Sequence, residues 1–233
     1  HSTTAPIPPP PATRGWGFLG EFLMKPVVFC DFDGTITAEE TFVAMLKQFA
    51  PEAAEETIPK LYTHEISLRS GVRRMLESIP SKAYEEIMEF SRTKEMRPGL
   101  LELMDFLDSE KVPFVVVSGG IRIMVETVLG ELVNRVAGIY AVDVATDGPN
   151  LRVHSEFEEG TELVAKVRVM ELYEGDPKIA IGDSVTDLNM AIAAPVVFAR
   201  DRLSGYLDKQ EKPYIPWGDF LDIRDRLREI WKV

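Results

Sequence analysis

The chain has 233 residues, 45% of them apolar, and a formal net charge of −12, with a pI near 4.8. That suffices for one sizeable core and a smaller attached unit. The acidic balance excludes non-specific binding to nucleic acid or anionic membrane, and it leaves any anion site to make its own local positive field.

Residues 1 to 24 differ from the rest. Pro6 and the run Pro8 to Pro11 give an extended, solvated segment. Residues 1–24 are expected to be a disordered tail or a non-native extension, with Met24 a candidate natural start. The first apolar run, Val27-Val28-Phe29-Cys30, predicts a buried parallel strand. Cys30 is the single cysteine, read as a small buried strand residue rather than a disulfide partner or metal ligand. No run reaches the roughly 18 apolar residues of a membrane span, and no segment reads as a secretory signal. A cytoplasmic, reducing location is expected.

Residues 38 to 96 read as helices. Phe42, Met45, Leu46 and Phe49 have helical spacing, as do Val72, Met75, Leu76 and Ile79, and a third stretch runs from Tyr84 to Phe90. From Pro98 helices and strands alternate. Leu100 to Leu107 predicts a helix, Phe114 to Val117 a strand and Ile121 to Leu129 a helix. Val142 to His154, with Asp147-Gly148 inside it, predicts a hairpin. A helix is expected over Thr161 to Tyr173, a strand at Ile179 to Ile181, a helix over Asp187 to Ala193 and a strand at Val196 to Phe198. Phe220 to Trp231 closes the chain as an amphipathic helix. Such alternation implies right-handed βαβ units and a Rossmann-like parallel sheet. The expected architecture is an α/β core, 25–37 and 98–233, interrupted by a helical cap, 38–97. Ligands of such sheets bind at the carboxyl ends of strands. The cap therefore hangs over the site, and its joints near Ala38 and Met96-Arg97-Pro98 are expected to let it open and close.

Polar clusters follow the predicted strands. Asp31 and Asp33 follow the first, Ser118-Gly119-Gly120 the second, and Gly182-Asp183 with Asp187 the Ile179 strand, while Lys166 lies in a predicted helix. Crowded carboxylates are costly without a cation, and an all-oxygen donor set suits Mg2+. A carboxylate is a competent phosphoryl acceptor. Asp33 is placed to give and take the proton, and Ser118, neighbouring backbone N–H groups and Lys166 are placed to hold an anion.

Asp31-Phe32-Asp33-Gly34-Thr35, Ser118, Lys166 and Gly182-Asp183 with Asp187 resemble the four ordered motifs of the haloacid dehalogenase-like hydrolase superfamily. The resemblance runs from Lys25 to near the end of the chain. It implies an Mg2+-dependent phosphatase acting through an aspartyl-phosphate, with Asp31 as nucleophile and Asp33 as general acid and base. It implies Mg2+ held by Asp31, Asp183 and the Asp33 backbone carbonyl, with Asp187 as ligand or support. Thr35, Ser118, Gly119 and Lys166 would bind the phosphoryl group.

The cap placement resembles the phosphoserine phosphatase branch. There Glu40 would face a substrate ammonium and Arg69, in Ser67-Leu68-Arg69, a substrate carboxylate. Glu39, Phe42 and Arg73 are further cap candidates. Ile66 to Pro80, Gly182 to Asp187, Phe198 to Asp201 and Asp219 to Arg224 look like the methionine-salvage phosphatases. Those act on 2-hydroxy-3-keto-5-methylthiopentenyl-1-phosphate, whose apolar tail would suit Phe42. The cysteine-rich stretch some of them carry before the motif lysine is replaced by an acidic segment, Asp143 to Glu162, which reads as a solvated hairpin face. The expected partner is a small-molecule phosphate ester, and the expected state a monomer or homodimer. A phosphoserine phosphatase, a phosphomutase and a non-catalytic binding protein on the same fold are the competing readings.

Overall fold

The computed structural model describes residues 24–233, so the expectation for the tail lies almost wholly outside the described residues. Strand β1 spans Val27–Asp31 and is buried throughout. Four helices follow: α1 (Phe42–Phe49), α2 (Pro51–Tyr62), α3 (Leu68–Glu77) and α4 (Tyr84–Arg92). Then come α5 (Leu100–Ser109), β2 (Phe114–Ile121), α6 (Arg122–Leu129), β3 (Gly138–Ala145), β4 (Arg152–His154) and α7 (Lys166–Glu171). The chain ends with β5 (Lys178–Gly182), α8 (Leu188–Ala193), β6 (Val196–Ala199), α9 (Asp201–Lys209), β7 (Ile215–Pro216) and α10 (Phe220–Trp231).

The seven strands form one sheet in the order β4-β3-β2-β1-β5-β6-β7. All neighbours are parallel except the β3–β4 hairpin. β1 lies at the centre with β2 and β5 beside it. The sheet order reverses direction there, which is where α/β sheets open a crevice. Val28, Phe29, Val115, Val116, Ile179 and Ile181 are fully buried, as expected of strands covered on both faces.

The inserted helices build their own apolar contacts. Met45, Leu46, Val72, Met75, Leu76 and Ile87 are buried. Phe49 meets Phe90 edge to face with ring centroids 6.0 Å apart, an arrangement favoured by the ring quadrupoles. The chain leaves and re-enters the sheet side through two paired segments. Ala38 N–H donates to Glu95 O at 3.0 Å and Arg97 N–H to Ile36 O at 2.7 Å, while Thr37 bridges Met96. The far end is tied as well. Leu151 N–H donates to Ile79 O at 2.9 Å and Ser81 N–H to Pro149 O at 2.9 Å. The helical insertion is thus fastened both at its joints and to the β3–β4 hairpin.

Two expected elements differ from those observed. β3 begins at Gly138, ahead of the expected hairpin, because Gly138 and Ile139 pair with Val115 and Val116. The helix expected from Thr161 begins only at Lys166. Residues before it are drawn into other bonds: Glu159 pairs with Glu162, Ala165 N–H donates to Phe157 O, and Thr161 O accepts from Arg69 N.

Candidate active site

β1 delivers Asp31 to its carboxyl end with 4% of its surface exposed. The chain then turns at once. The N–H groups of Thr35, Ile36 and Thr37 all point to Phe32 O. Gly34 has φ +74°, and a Cβ there would lie 2.2 Å from Asp183 Oδ2. Both the left-handed backbone and the close carboxylate restrict the position to glycine. On the neighbouring strand a Cβ on Gly182 would lie 2.6 Å from Asp187 Oδ2. The two glycines let the β1 and β5 ends bring their carboxylates together.

Asp31, Asp183 and Asp187 are buried, with one oxygen of each within 4.8 Å of the others. Lys166, 2% exposed, donates from Nζ to Asp31 Oδ1 at 2.7 Å and to Asp187 Oδ1 at 2.5 Å. Asp187 Oδ2 accepts the N–H groups of Asp183 at 3.0 Å and Ser184 at 3.2 Å. Both Asp187 oxygens are therefore occupied. The Thr35 hydroxyl lies 3.1 Å from Asp31 Oδ2 and 3.1 Å from Asp183 Oδ1. It has one proton, so it serves one carboxylate at a time.

Burial and the Asp31 charge push the Asp183 carboxyl up to about 10 and the Asp187 carboxyl up to about 6. Burial pulls Lys166 down, but the Asp187 and Asp31 charges outweigh it and hold the ammonium above its usual value. The shifts of Lys166 and Asp187 do not mirror each other. Three carboxylates share one ammonium, so the positive charge of the lysine is fully compensated and the charge of the carboxylates only in part. A cluster of hard oxygen donors with negative charge in excess fits a divalent Mg2+.

A pH dependence follows. In metal-free protein the folded cluster keeps protons that the unfolded chain has released, so stability is lost as pH rises from the ordinary carboxylate range through the raised values of Asp187 and Asp183. We expect thermal melts in EDTA to drop between about pH 6 and about pH 9, and Mg2+ to raise the melting temperature most at the alkaline end. A metal-free melting temperature that rises over that interval, with no response to Mg2+, would refute the cation reading of this cluster.

Asp33 is half-buried and faces α1. Its Oδ1 accepts from Thr41 N at 2.6 Å, Thr41 Oγ1 at 2.7 Å and Phe42 N at 3.2 Å. Asp33 thus caps the helix from outside, since Thr41 itself makes no side-chain cap. Among the described hydrogen bonds Oδ2 has none. Burial raises its pKa, against the lowering effect of the Thr41 and Phe42 bonds. The Asp33 side chain is outside the carboxylate trio.

On the other side of β1, β2 carries a bulge. Val117 pairs with Tyr140 and Ile121 with Val142, so Ser118, Gly119 and Gly120 lie opposite Ala141 alone. The bulge takes backbone N–H groups out of the ladder. Ser118 is buried and its Oγ accepts from Gly120 N at 3.0 Å. Gly119 is exposed. A Cβ on Gly120 would lie 3.3 Å from the Phe42 ring, which places Phe42 over the Ser118 loop.

The cap candidates divide. Glu40 is exposed and packs over Gly34. Arg69 is engaged elsewhere: its Nε donates to Glu158 Oε1 at 2.6 Å, and Arg73 Nη2 donates to the same oxygen at 2.6 Å. The segment Asp143 to Glu162 is therefore more than a solvated acidic face, because Glu158 joins it to α3. Arg97, in the sequence a joint residue, has a second role. Its Nε donates to Thr35 O at 2.9 Å and its Nη2 to Gly34 O at 2.8 Å, so it grips the turn that follows Asp31. The only local sign is its place before Pro98-Gly99.

Comparison with known proteins agrees with this geometry. The haloacid dehalogenase-like hydrolase family model matches residues 28–191. A 2-hydroxy-3-keto-5-methylthiopentenyl-1-phosphate phosphatase of Microcystis aeruginosa is 52% identical over 206 residues, 88% of this chain and 98% of that protein. One of Bacillus cereus is 32% identical over 215 residues, 88% of this chain and 97% of that protein. Among solved structures, a phosphoserine phosphatase from T. onnurineus matches with TM-score 0.65 at 19% identity, covering 92% of this chain and 98% of that one. A phospho-aspartyl intermediate analogue of a phosphoserine phosphatase matches with TM-score 0.62 at 20% identity, covering 90% and 98%. With a carboxylate trio at the central strand ends of a parallel sheet, and a family match over more than half its length, the chain belongs to the haloacid dehalogenase-like hydrolase family.

Proposed function

We propose that the protein is an Mg2+-dependent phosphatase that hydrolyses a small phosphate monoester, with 2-hydroxy-3-keto-5-methylthiopentenyl-1-phosphate as the favoured substrate. The observation that carries the reaction class is the buried Asp31 beside Lys166 and Asp183 at the end of β1. The relative that is 52% identical over almost its whole length supports the substrate. Arg69 supports it as well. A phosphoserine carboxylate would need that guanidinium, and Glu158 already holds it. Phe42 over the Ser118 loop offers an apolar surface to a methylthio tail.

In the reaction, the Ser118 hydroxyl and the Gly119 N–H hold phosphoryl oxygens, and Lys166 adds fixed positive charge. Asp31 attacks phosphorus. The ester P–O bond breaks as an aspartyl-phosphate forms, and Asp33 Oδ2 gives its proton to the leaving oxygen. Asp33 then takes a proton from water, which attacks phosphorus and releases phosphate, restoring Asp31. The raised pKa of Asp33 suits the first proton transfer. Asp31 and Asp183 would hold Mg2+ by carboxylate and Asp33 by its backbone carbonyl. Asp187, with both oxygens engaged, would orient Lys166 and the loop. The bound ion supplies charge that lets an anionic nucleophile approach an anionic phosphoryl group.

The test is phosphate release in Mg2+ from a panel of esters. The salvage ester is expected to give kcat/KM at least about 100-fold above phosphoserine and sugar phosphates, the scale of a few contacts made or lost. Equal or better turnover of phosphoserine would remove this substrate assignment. Isomerised ester without free phosphate would replace hydrolysis by mutase chemistry.

A further inference from the structure

A cleft of about 520 Å³ opens beside the carboxylate trio, and Arg97, Arg200 and Arg202 line it with Glu40, Asp183 and Asp201. Three guanidinium groups in one cleft stand out in a chain of net charge −12. Their own partners leave donors to spare. Arg97 uses Nε and Nη2 on backbone oxygens. Arg200 uses Nε on Asp201 at 3.1 Å and Nη1 on Gly218 O. Arg202 is exposed and makes no hydrogen bond or ion pair among the described residues.

Trp217 fixes the first two. Arg97 stands 5.4 Å and Arg200 5.2 Å from its ring centroid, and the indole is held in turn by Nε1 donating to Gly182 O at 3.4 Å. Two cations are thus stacked on one buried aromatic. Burial first, and then the Arg200 charge, lowers the Arg97 pKa, against the raising effect of Asp201, Asp183 and Asp219. Of the three carboxylates along the cleft, Asp201 neutralises Arg200 and Asp183 belongs to the trio beside Lys166, which leaves Arg97 and Arg202 facing the exposed Glu40. The α9 N-terminus, at Asp201, adds its dipole.

We propose that this cleft is a second phosphate-binding site, separate from the Ser118–Lys166 position, in which Arg97, Arg200 and Arg202 hold a phosphate dianion next to Asp183. It deepens the phosphatase reading and rests on it for the source of the anion. That source is either the free phosphate produced or the phosphoryl end of an incoming ester. Guanidinium forks match phosphate oxygens in pairs, and the spare donors of Arg97 and Arg202, which outnumber the exposed Glu40 once Arg200 is paired with Asp201, are what an anionic ligand meets there.

The test is a titration of the Mg2+-loaded full chain with inorganic phosphate at constant ionic strength, read by Trp217 emission. Trp217→Phe identifies that signal against the other tryptophans. A saturable change is expected, competed by sulfate and not by chloride, with its midpoint raised at least about fivefold in Arg202→Glu and in Arg200→Gln, the scale of one charge-assisted contact. Arg202→Glu should fold normally, since Arg202 is exposed and unpartnered among the described residues, and a thermal melt checks it. No saturable change, or an unaltered midpoint in both variants, overturns the site. A second arm titrates Asp31→Asn protein with intact ester. An Arg202-dependent signal there assigns the site to the incoming ester, and a signal with inorganic phosphate alone assigns it to product. Phosphate release by the unmodified enzyme is measured separately, so loss of the phosphatase reading and loss of this site give different results.

Discussion

Asp31→Asn is expected to lower kcat by about four orders of magnitude or more, the scale seen when a covalent nucleophile is removed. The fold should survive. The introduced amide keeps an oxygen for Lys166 Nζ, which stands 2.7 Å from Asp31 Oδ1 in the unmodified chain, and one negative charge leaves a crowded trio. Asp31 is among the causes that raise both Asp183 and Asp187, so the metal-free variant should melt no lower than the unmodified protein. Loss of turnover with an intact melt separates a chemical role from a structural one. Acid quench during turnover should trap an acyl-phosphate on the unmodified protein, cleaved by hydroxylamine, and none on the variant. Turnover within about tenfold of the unmodified enzyme would remove Asp31 as nucleophile.

Asp31 and Asp183 are legible in the sequence because each sits where a parallel strand ends, and a strand end is written locally. Val27 to Cys30 and Ile179 to Ile181 are uninterrupted apolar runs, and uninterrupted runs are what a sheet covered on both faces demands. β3 is half hidden. Its apolar run, Ile139 to Val142, is interrupted by Asp143, and its Ile139 and Tyr140 are only partly buried, so its start at Gly138 is set by pairing with Val115 rather than by a long apolar stretch. The start of α7 is hidden for another reason. Residues 161 to 165 have helical composition, but Thr161 O is taken by Arg69 N and Ala165 N by Phe157 O. Such long-range bonds leave no period in the sequence.

The same limit explains the arginines. Arg69 is a candidate substrate ligand by the resemblance of Ser67-Leu68-Arg69 to the phosphoserine phosphatase branch, and only folding brings Glu158 to it. Arg97 reads as a joint, and only folding lays its guanidinium across the carbonyls of Gly34 and Thr35. Chemistry carried by a motif is visible before folding. Chemistry carried by one side chain reaching another segment's backbone is not. The joints illustrate the consequence for motion: the pairing of Ala38 with Glu95 and of Arg97 with Ile36 makes opening of the cap at that edge a matter of breaking backbone hydrogen bonds.

Lys166→Met should be the most destabilising single change at the site. Lys166 is 2% exposed and is the shared donor to Asp31 and Asp187. Methionine fills much the same volume, so the loss is one of charge rather than packing. Removing one partner of a buried ion pair costs about 3–5 kcal/mol, because the remaining charge is left uncompensated. For a chain of this size that corresponds to a melting temperature roughly 10 °C lower. Three features should mark the electrostatic origin. Added salt should restore little, since buried charges are poorly screened. Mg2+ should restore more, because a cation among the three carboxylates replaces the missing ammonium. The double variant Lys166→Met, Asp187→Asn should recover part of the stability, since removing one carboxylate relieves the repulsion that Lys166 offset, and non-additivity of this kind is expected of residues in one network. Activity should stay at least about 100-fold down in every one of these backgrounds, because restored stability does not restore the positive charge that the proposed mechanism places at the phosphoryl oxygens. A Lys166→Met protein that melts with the unmodified chain in EDTA would mean that the protons the cluster keeps through its raised pKa values compensate its charge without help, and that the ammonium contributes nothing to the folded state.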